Sequence, residues 1–126
     1  MITIKLGELK EITEGLNEIL SKELPIKPAY WFGKLAKKIR KELLELEENR
    51  MNLIDKYALR DEHNKPIIED NKYKFFDIKS FNTEFKDLVE TEIEIDFIPV
   101  SIEQLGDTKI SPIVMMGLEK FIEGVE

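Results

Sequence analysis

The fold is decided by residues 28–58, which read PAYWFGKLAKKIRKELLELEENRMNLIDKYA. Apolar side chains recur there in alternating steps of three and four residues, a spacing typical of a helix that packs along one seam. The seam consists of Ala29, Phe32, Ala36, Ile39, Leu43, Leu46, Leu53 and Tyr57. Because each helical residue adds about 1.5 Å, the pattern predicts a single helix about 45 Å long.

A shorter helix precedes the long one. Residues 8–21 place Leu9, Ile12, Leu16 and Ile19 on one face, as expected of an amphipathic helix. The connection between the helices is short and proline-containing. We therefore expect an antiparallel helical hairpin, with Pro28 at the first position of the long helix.

The long helix should extend beyond the short one, which measures only about 20 Å. Leu46, Leu53 and Tyr57 therefore need another cover, either the C-terminal sheet or a second copy of the chain. Arg50 interrupts the seam. It could fix register or oligomeric state, or extend to the surface and pair with a carboxylate. Because this half of the seam is uncovered, we expect a homodimer through the exposed half of the long helix. The basic and acidic halves of two such helices would also match in an antiparallel arrangement.

The other segments predict strands and two further helices. Apolar and polar residues alternate at 2–6 and 92–97, as in half-buried strands, and residues 66–69 and 72–76 suit a hairpin across Asp70-Asn71. We expect Ser80 to cap a helix over 80–91 and Ser111-Pro112 to start a last helix. The expected buried side of that last helix is Ile113, Met116, Leu118 and Phe121.

These elements predict one α+β domain over residues 1–126, a helical hairpin with one long helix packed on a small, mainly antiparallel sheet. The chain has no cysteine, which excludes disulfides, thiolate metal sites and cysteine nucleophiles. Its net charge is −7, which disfavours nucleic acid because phosphate contacts dominate that affinity. No segment resembles a signal peptide or membrane span. We expect a cytoplasmic protein with no membrane partner and no cofactor.

Charge is unevenly placed, with net +4 over residues 1–41 and −11 over residues 42–126. One face of the long helix is basic, and Tyr30 and Trp31 lie one turn upstream of it. Its residues are Lys34, Lys37, Lys38 and Lys41. The basic face is either solvated surface or a contact for a protein or nucleic acid. The two aromatic residues are either an exposed recognition pair or a cap on the helical hairpin.

An acidic face is predicted on the strand at 92–97, where Glu92, Glu94 and Asp96 point to the same side. It could be a solvated strand face, a contact for a basic surface, or a site for Mg²⁺ or Ca²⁺.

No catalytic motif is recognisable, and we expect no enzymatic activity. His63, the one histidine, lies in a polar turn and is expected on the surface. One alternative is a small-ligand binder that sequesters a host nucleotide-like signal at a dimer interface. Its pocket would contain Tyr30, Trp31, Arg50 and Tyr57. A more remote alternative is a metal-dependent hydrolase that uses the acidic strand.

The order of several short segments resembles small uncharacterised proteins of tailed phages and prophages of Gram-positive bacteria. The resemblance runs from about residue 4 to residue 122. Its segments are Leu24-Pro25-Ile26-Lys27, Lys34-Leu35, Lys38, Glu48, Arg50, Leu53-Ile54, Lys56-Tyr57, Asp61-Glu62, Phe81, Glu84-Phe85, Glu92-Ile93-Glu94-Ile95 and Ile110-Ser111-Pro112. A glycine often follows the tyrosine in such proteins, whereas Ala58 stands here. The resemblance implies a phage setting in a bacterial cytoplasm and no particular chemistry.

We therefore expect a non-enzymatic phage or prophage accessory protein that acts through protein–protein interaction in assembly or host takeover. The expected interaction surface comprises Tyr30, Trp31, Lys34, Lys38, Arg50, Tyr57, Glu92, Glu94 and Asp96.

Overall fold

The computed structural model describes residues 1–124. In chain order its elements are β1 (Ile2–Lys5), α1 (Leu9–Leu20), α2 (Ile26–Tyr57), β2 (Ile68–Glu69), β3 (Lys72–Tyr73), α3 (Ile78–Glu90), β4 (Glu92–Ile95), β5 (Val100–Ser101), α4 (Pro112–Leu118) and β6 (Ile122–Glu123). Short 3₁₀ turns occupy Leu6–Glu8, Ile102–Leu105 and Glu119–Phe121. The α+β class, with one long helix packed on a small sheet, is as predicted.

Helix α2 is 32 residues long, which corresponds to about 48 Å. It begins after Pro25, so Pro28 lies at its third position and the prediction of the first position was wrong. The whole first turn tolerates proline because N–H groups there have no partner within the helix. The helix ends where Ala58 becomes extended. No helix among residues 1–124 combines the length and apolarity needed to cross a membrane.

The core forms around α1, which contacts α2 on one side and α4 on another. The predicted apolar face of α1 is fully buried. From α2, Phe32, Leu35 and Ile39 enter the same cluster. All three belong to the N-terminal half of α2, as the difference in helix lengths predicted.

Two glycines let α1 and α4 approach each other at backbone distance. A Cβ atom built on Gly15 would lie 3.3 Å from the Cα of Gly117, and one built on Gly117 would lie 3.2 Å from the Cα of Gly15. The Gly117 Cβ would also collide with the carbonyl oxygen of Glu11. The packing of these helices therefore requires glycine at position 117.

This crossing also fixes which side of α4 is buried. Val114, Gly117 and Leu118 face the core, and Phe121 is buried just after the helix. Ile113 and Met116 are 51% and 66% exposed, so their predicted burial was wrong. The helix is only seven residues long, too short for its periodicity to show which side meets α1.

Strands β1 and β4 pair antiparallel, with Ile4 opposite Ile93 and Lys5 opposite Glu92. Ile4 and Ile95 face the core, while the charged residues face solvent. The predicted alternation is confirmed. The chain then continues into Phe97, whose ring stacks on Phe32 at 6.0 Å.

A parallel pair was not predicted. β5 and β6 pair Val100 with Ile122 and Ser101 with Glu123. Phe121, next to β6, meets the ring of Phe97 edge to face at 5.5 Å. This pair holds the chain end against the segment that follows β4.

The predicted β-hairpin is present and consists of β2 and β3, with Ile68 opposite Tyr73 and Glu69 opposite Lys72. Its two turn residues, Asp70 and Asn71, have φ values of 52° and 63°. Both values lie in the left-handed region that a type I′ hairpin turn requires at its two central residues. Asp and Asn tolerate this region, so no glycine is needed.

Helix α3 covers the C-terminal half of α2. One of the predicted alternatives, cover by the C-terminal sheet, is therefore not what the structure has. The two helices are in contact, and Lys56 Nζ lies 3.0 Å from Glu84 Oε1. After the β2–β3 hairpin, the ring of Phe75 stacks on Phe81 and that of Phe81 on Phe85, with centroid separations of 4.3 and 5.9 Å. Leu46, Leu53 and Tyr57 remain only half-buried.

The residue that caps α3 is Asp77, so the prediction of Ser80 was wrong. The Asp77 carboxylate accepts hydrogen bonds from the Ser80 N–H at 3.1 Å and the Ser80 hydroxyl at 2.7 Å. Both bonds favour the ionised carboxylate and lower the pKa of Asp77. The serine predicted as the cap is instead the residue that the cap binds.

We expect Gly117→Ala to destabilise the protein by about 1–3 kcal/mol, because overpacking would force α1 and α4 apart. Gly33→Ala is the matched control, since a Cβ atom there meets nothing within 4 Å. That substitution should stabilise the protein by about 0.5–1 kcal/mol through the preference of helices for alanine. Urea unfolding of both variants measures the difference, and equal stabilities would contradict the close crossing.

Candidate functional site

Two aromatic side chains are exposed near the N-terminal end of α2. Tyr30 is 55% exposed and Trp31 is 47% exposed. Their rings meet edge to face, with centroids 5.3 Å apart. Lys34 Nζ lies 4.8 Å from the Tyr30 centroid and 5.5 Å from the Trp31 centroid. The rings thus lie on the surface, and their geometry with the ammonium is that of a cation–π contact.

A cleft of about 120 Å³ adjoins Trp31. Its lining residues are Lys27, Pro28, Trp31, Ile98, Pro99, Val100 and Gln104. Ile98 follows β4 and is 84% exposed, as is Ile26, which lies one turn before Tyr30. We refer to Ile26, Tyr30, Trp31, Lys34 and Ile98 as the aromatic patch. Its apolar members come from two separate segments of the chain.

Lysines lie within and beside the aromatic patch. Lys27, Lys34 and Lys38 follow steps of seven and four residues and lie on the same side of α2 as Trp31, and all three are exposed. Among residues 1–124, none of the three lies within 4.0 Å of a carboxylate oxygen. The apolar surface is therefore flanked by positive charge that residues 1–124 do not neutralise by ion pairing.

The predicted acidic face lies on the outer side of the β1–β4 pair. Glu92, Glu94 and Asp96 are all exposed there, and Lys5 is the cross-strand neighbour of Glu92. Within residues 1–124, no group of three or more His, Asp or Glu side chains is placed to hold a metal ion. These three carboxylates are therefore spread along a surface instead of converging on one point.

Arg50 pairs with a carboxylate, as one sequence interpretation held. Its guanidinium nitrogens lie 3.0 and 2.7 Å from the two carboxylate oxygens of Glu47. This hydrogen-bonded pair lowers the pKa of Glu47 and raises that of Arg50. The contact joins neighbouring turns of one helix and leaves Arg50 near the surface.

Tyr57 belongs to a polar cluster between α2 and α3. Glu84 accepts a hydrogen bond from Lys56 at 3.0 Å. The Tyr57 hydroxyl and then the Lys56 ammonium favour the ionised carboxylate and lower the pKa of Glu84. Glu84 in turn raises the pKa of Tyr57. The ring of Tyr57 meets Phe76 at 5.9 Å.

The residues expected to line a ligand pocket are far apart within one chain. Trp31 precedes Arg50 by about 28 Å and Tyr57 by about 39 Å along the helix. A groove of about 440 Å³ does lie between α2 and α3, but Trp31 and Arg50 do not line it. It contains Asn49, Asn52, Leu53, Lys56, Glu84, Asp87, Leu88 and Thr91. One chain therefore does not assemble the predicted pocket.

No family model, curated protein or solved structure matches this chain.

The aromatic patch contains two residues that the sequence reasoning missed. Ile98 lies between buried Phe97 and Val100, so its alternation with Phe97 could have indicated an outward side chain. Ile26 falls in the connection predicted between the two helices, although it is the first residue of α2. His63 is exposed in its turn, as expected, with its backbone N–H donating to the Asp61 carboxylate at 2.8 Å.

We expect Glu84→Gln to lower stability near neutral pH and to weaken its dependence on pH. The folded-state pKa lies below the ordinary value of 4.5, so the unfolded chain binds this proton first. The contribution of the Glu84 carboxylate to the free energy of unfolding is therefore complete above the ordinary pKa. It disappears as the pH falls through the lowered pKa. The difference in urea midpoint between wild type and variant should narrow between about pH 7 and about pH 3.

The control for this experiment is Glu14→Gln, which changes an exposed glutamate of α1 that has no ion pair among residues 1–124. Its midpoint should follow that of the wild type across the pH range. A Glu84→Gln difference that stays constant with pH would contradict the role given to the carboxylate.

Proposed function

We propose that this protein is a non-enzymatic interaction protein that binds another protein through the aromatic patch. The observation that carries the proposal is the exposure of Tyr30, Trp31 and Ile98 on one surface beside a cleft. Tyrosine and tryptophan are enriched among the residues that contribute most to binding, and they act when burial in a complex removes them from water. About half of the surface of each of these two residues is exposed to water in the isolated chain.

The chemistry of the patch favours a particular kind of partner. Its apolar centre suits leucine-like or aromatic side chains, and the cleft beside Trp31 is large enough for part of one side chain. The surrounding lysines favour an acidic rim on the partner, because complementary potentials steer association and select partners. We therefore propose an acidic, amphipathic protein segment as the occupant.

The proposed biological setting is a phage or prophage accessory role in a bacterial cytoplasm, with a phage or host protein as the partner. This setting is supported by the sequence resemblance alone. We also propose that the protein is a homodimer. Its interface would be formed by a part of α2 that is centred away from the aromatic patch. The net charge of −7 supports a protein partner over nucleic acid.

The first test compares proteins captured from a bacterial lysate by the wild type and by Tyr30→Ala. We expect a partner that the wild type retains and the variant loses, since removing a central aromatic contact typically weakens binding by about 2 kcal/mol or more. The matched control is Phe76→Ala, which removes the ring of an aromatic residue that is 63% exposed and lies beside Tyr57, the last residue of α2. It should retain the partner.

Trp31 provides a second readout because it is the single tryptophan of the sequence. Binding of a helical peptide with leucine on one face and glutamate on the other should shift the fluorescence emission of Trp31 to shorter wavelengths. This shift should saturate as the peptide concentration rises. The same peptide with lysine in place of glutamate should not shift the emission. Equal responses to the two peptides, or binding unaffected by Ile98→Ala, would count against the patch. Capture abolished by nuclease treatment would identify nucleic acid as the ligand instead.

A further inference from the structure

The outward side of α2 carries a second surface that no other element within residues 1–124 covers. Lys37, Arg40, Leu44, Glu47 and Met51 follow steps of three, four, three and four residues, and all five are exposed. Leu44 is 66% exposed and Met51 is 36% exposed. This spacing is that of a helix-pairing seam, distinct from the buried seam on the other side of the helix.

The neighbouring elements leave this surface open. α1 borders α2 beside Ala36 and Arg40, and α3 borders it beside Leu53 and Lys56. Between them, a shallow depression of about 280 Å³ lies at the middle of α2. Its residues are Leu44, Glu47, Glu48, Met51 and Asn52.

Charge along this surface changes sign at Leu44. Lys37, Arg40 and Lys41 precede it, and Glu47 and Glu48 follow it. Among residues 1–124, Glu47 is the one of these five that forms an ion pair, with Arg50. A helix with this polarity is complementary to a second copy of itself that runs in the opposite direction.

We infer that two copies pair through α2 in antiparallel orientation, with Leu44 of each copy against Leu44 of the other on the two-fold axis. The inference rests on the proposed homodimer and specifies its surface and register. It does not depend on the aromatic patch.

The register follows from the symmetry and the charges. With Leu44 on the axis, Arg40 faces Glu48 of the second copy and Lys41 faces its Glu47, so four opposite-charge contacts surround one apolar contact. A shifted register would place Leu44 against Met51 of the second copy. That register brings Glu47 against Glu48, and like charges in contact oppose association.

Cysteine cross-linking tests the register, because the sequence contains no cysteine. Under mild oxidation, Leu44→Cys should form a covalent dimer, since a disulfide needs Cα atoms within about 4.4–6.8 Å. Met51→Cys should not, because its two copies would be about 21 Å apart along the helices. A dimeric protein in which Leu44→Cys fails to cross-link would overturn the register.

Charge reversal tests the surface independently, with the dimer dissociation constant measured by analytical ultracentrifugation. Arg40→Glu and Glu48→Arg should each weaken the dimer about tenfold, since each reversal affects two symmetry-related contacts. The double variant Arg40→Glu/Glu48→Arg should restore the wild-type value. Lys10→Glu, an equivalent reversal at an exposed position of α1 outside both surfaces, is the control and should leave the dimer intact.

The outcomes separate this inference from the rest of the proposal. A monomer at every concentration overturns both the homodimer and the register, while the aromatic patch is still judged by Tyr30→Ala. A stable dimer whose dissociation constant is unchanged by Arg40→Glu overturns this surface alone and leaves the proposed homodimer in place.

Discussion

The architecture depends on the contact between α1 and α4, where two glycines let helix backbones meet without intervening side chains. This contact positions the residues that follow α4, including Phe121, against Phe97. Phe97 in turn stacks on Phe32 of α2. The next residue, Ile98, is thereby held beside Trp31. The aromatic patch therefore depends on a chain of packing contacts that begins at Gly117, although Gly117 itself lies in the core.

Periodicity predicted the long elements because each presents several turns or residues to one environment. The apolar face of α1, the N-terminal seam of α2 and the alternation of β4 are all confirmed by burial. Prediction failed where an element is short or its partner is distant in sequence. The two-residue strands β5 and β6 have no period to detect, and the buried side of α4 depends on a glycine contact with α1. Asp77 was overlooked as a cap because Ser80 is equally suited to that role.

The candidate site was predictable in part for the same reasons. Tyr30, Trp31 and Lys34 are neighbours on one helix, so their spacing alone placed them together. Ile98 joins them only through tertiary packing, which the sequence order does not reveal. Tyr57 and Arg50 were grouped with the aromatic pair by residue type, but several turns of α2 separate them from it. Residue chemistry suggested the members of a site, and the geometry of α2 decided which of them can act together.

The stacked rings of Phe75, Phe81 and Phe85 belong to a segment that differs from the core in how it should unfold locally. No residue of α3 is buried, whereas four apolar residues of α1 are at most 4% exposed. Free energies of local opening follow the density of buried contacts. Amide protons of α3 should therefore exchange with solvent by a partial unfolding that leaves α1 intact. The distal segment from the hairpin to α3 would then form a separate, weaker cooperative unit, released from α2 at a free energy below that of global unfolding.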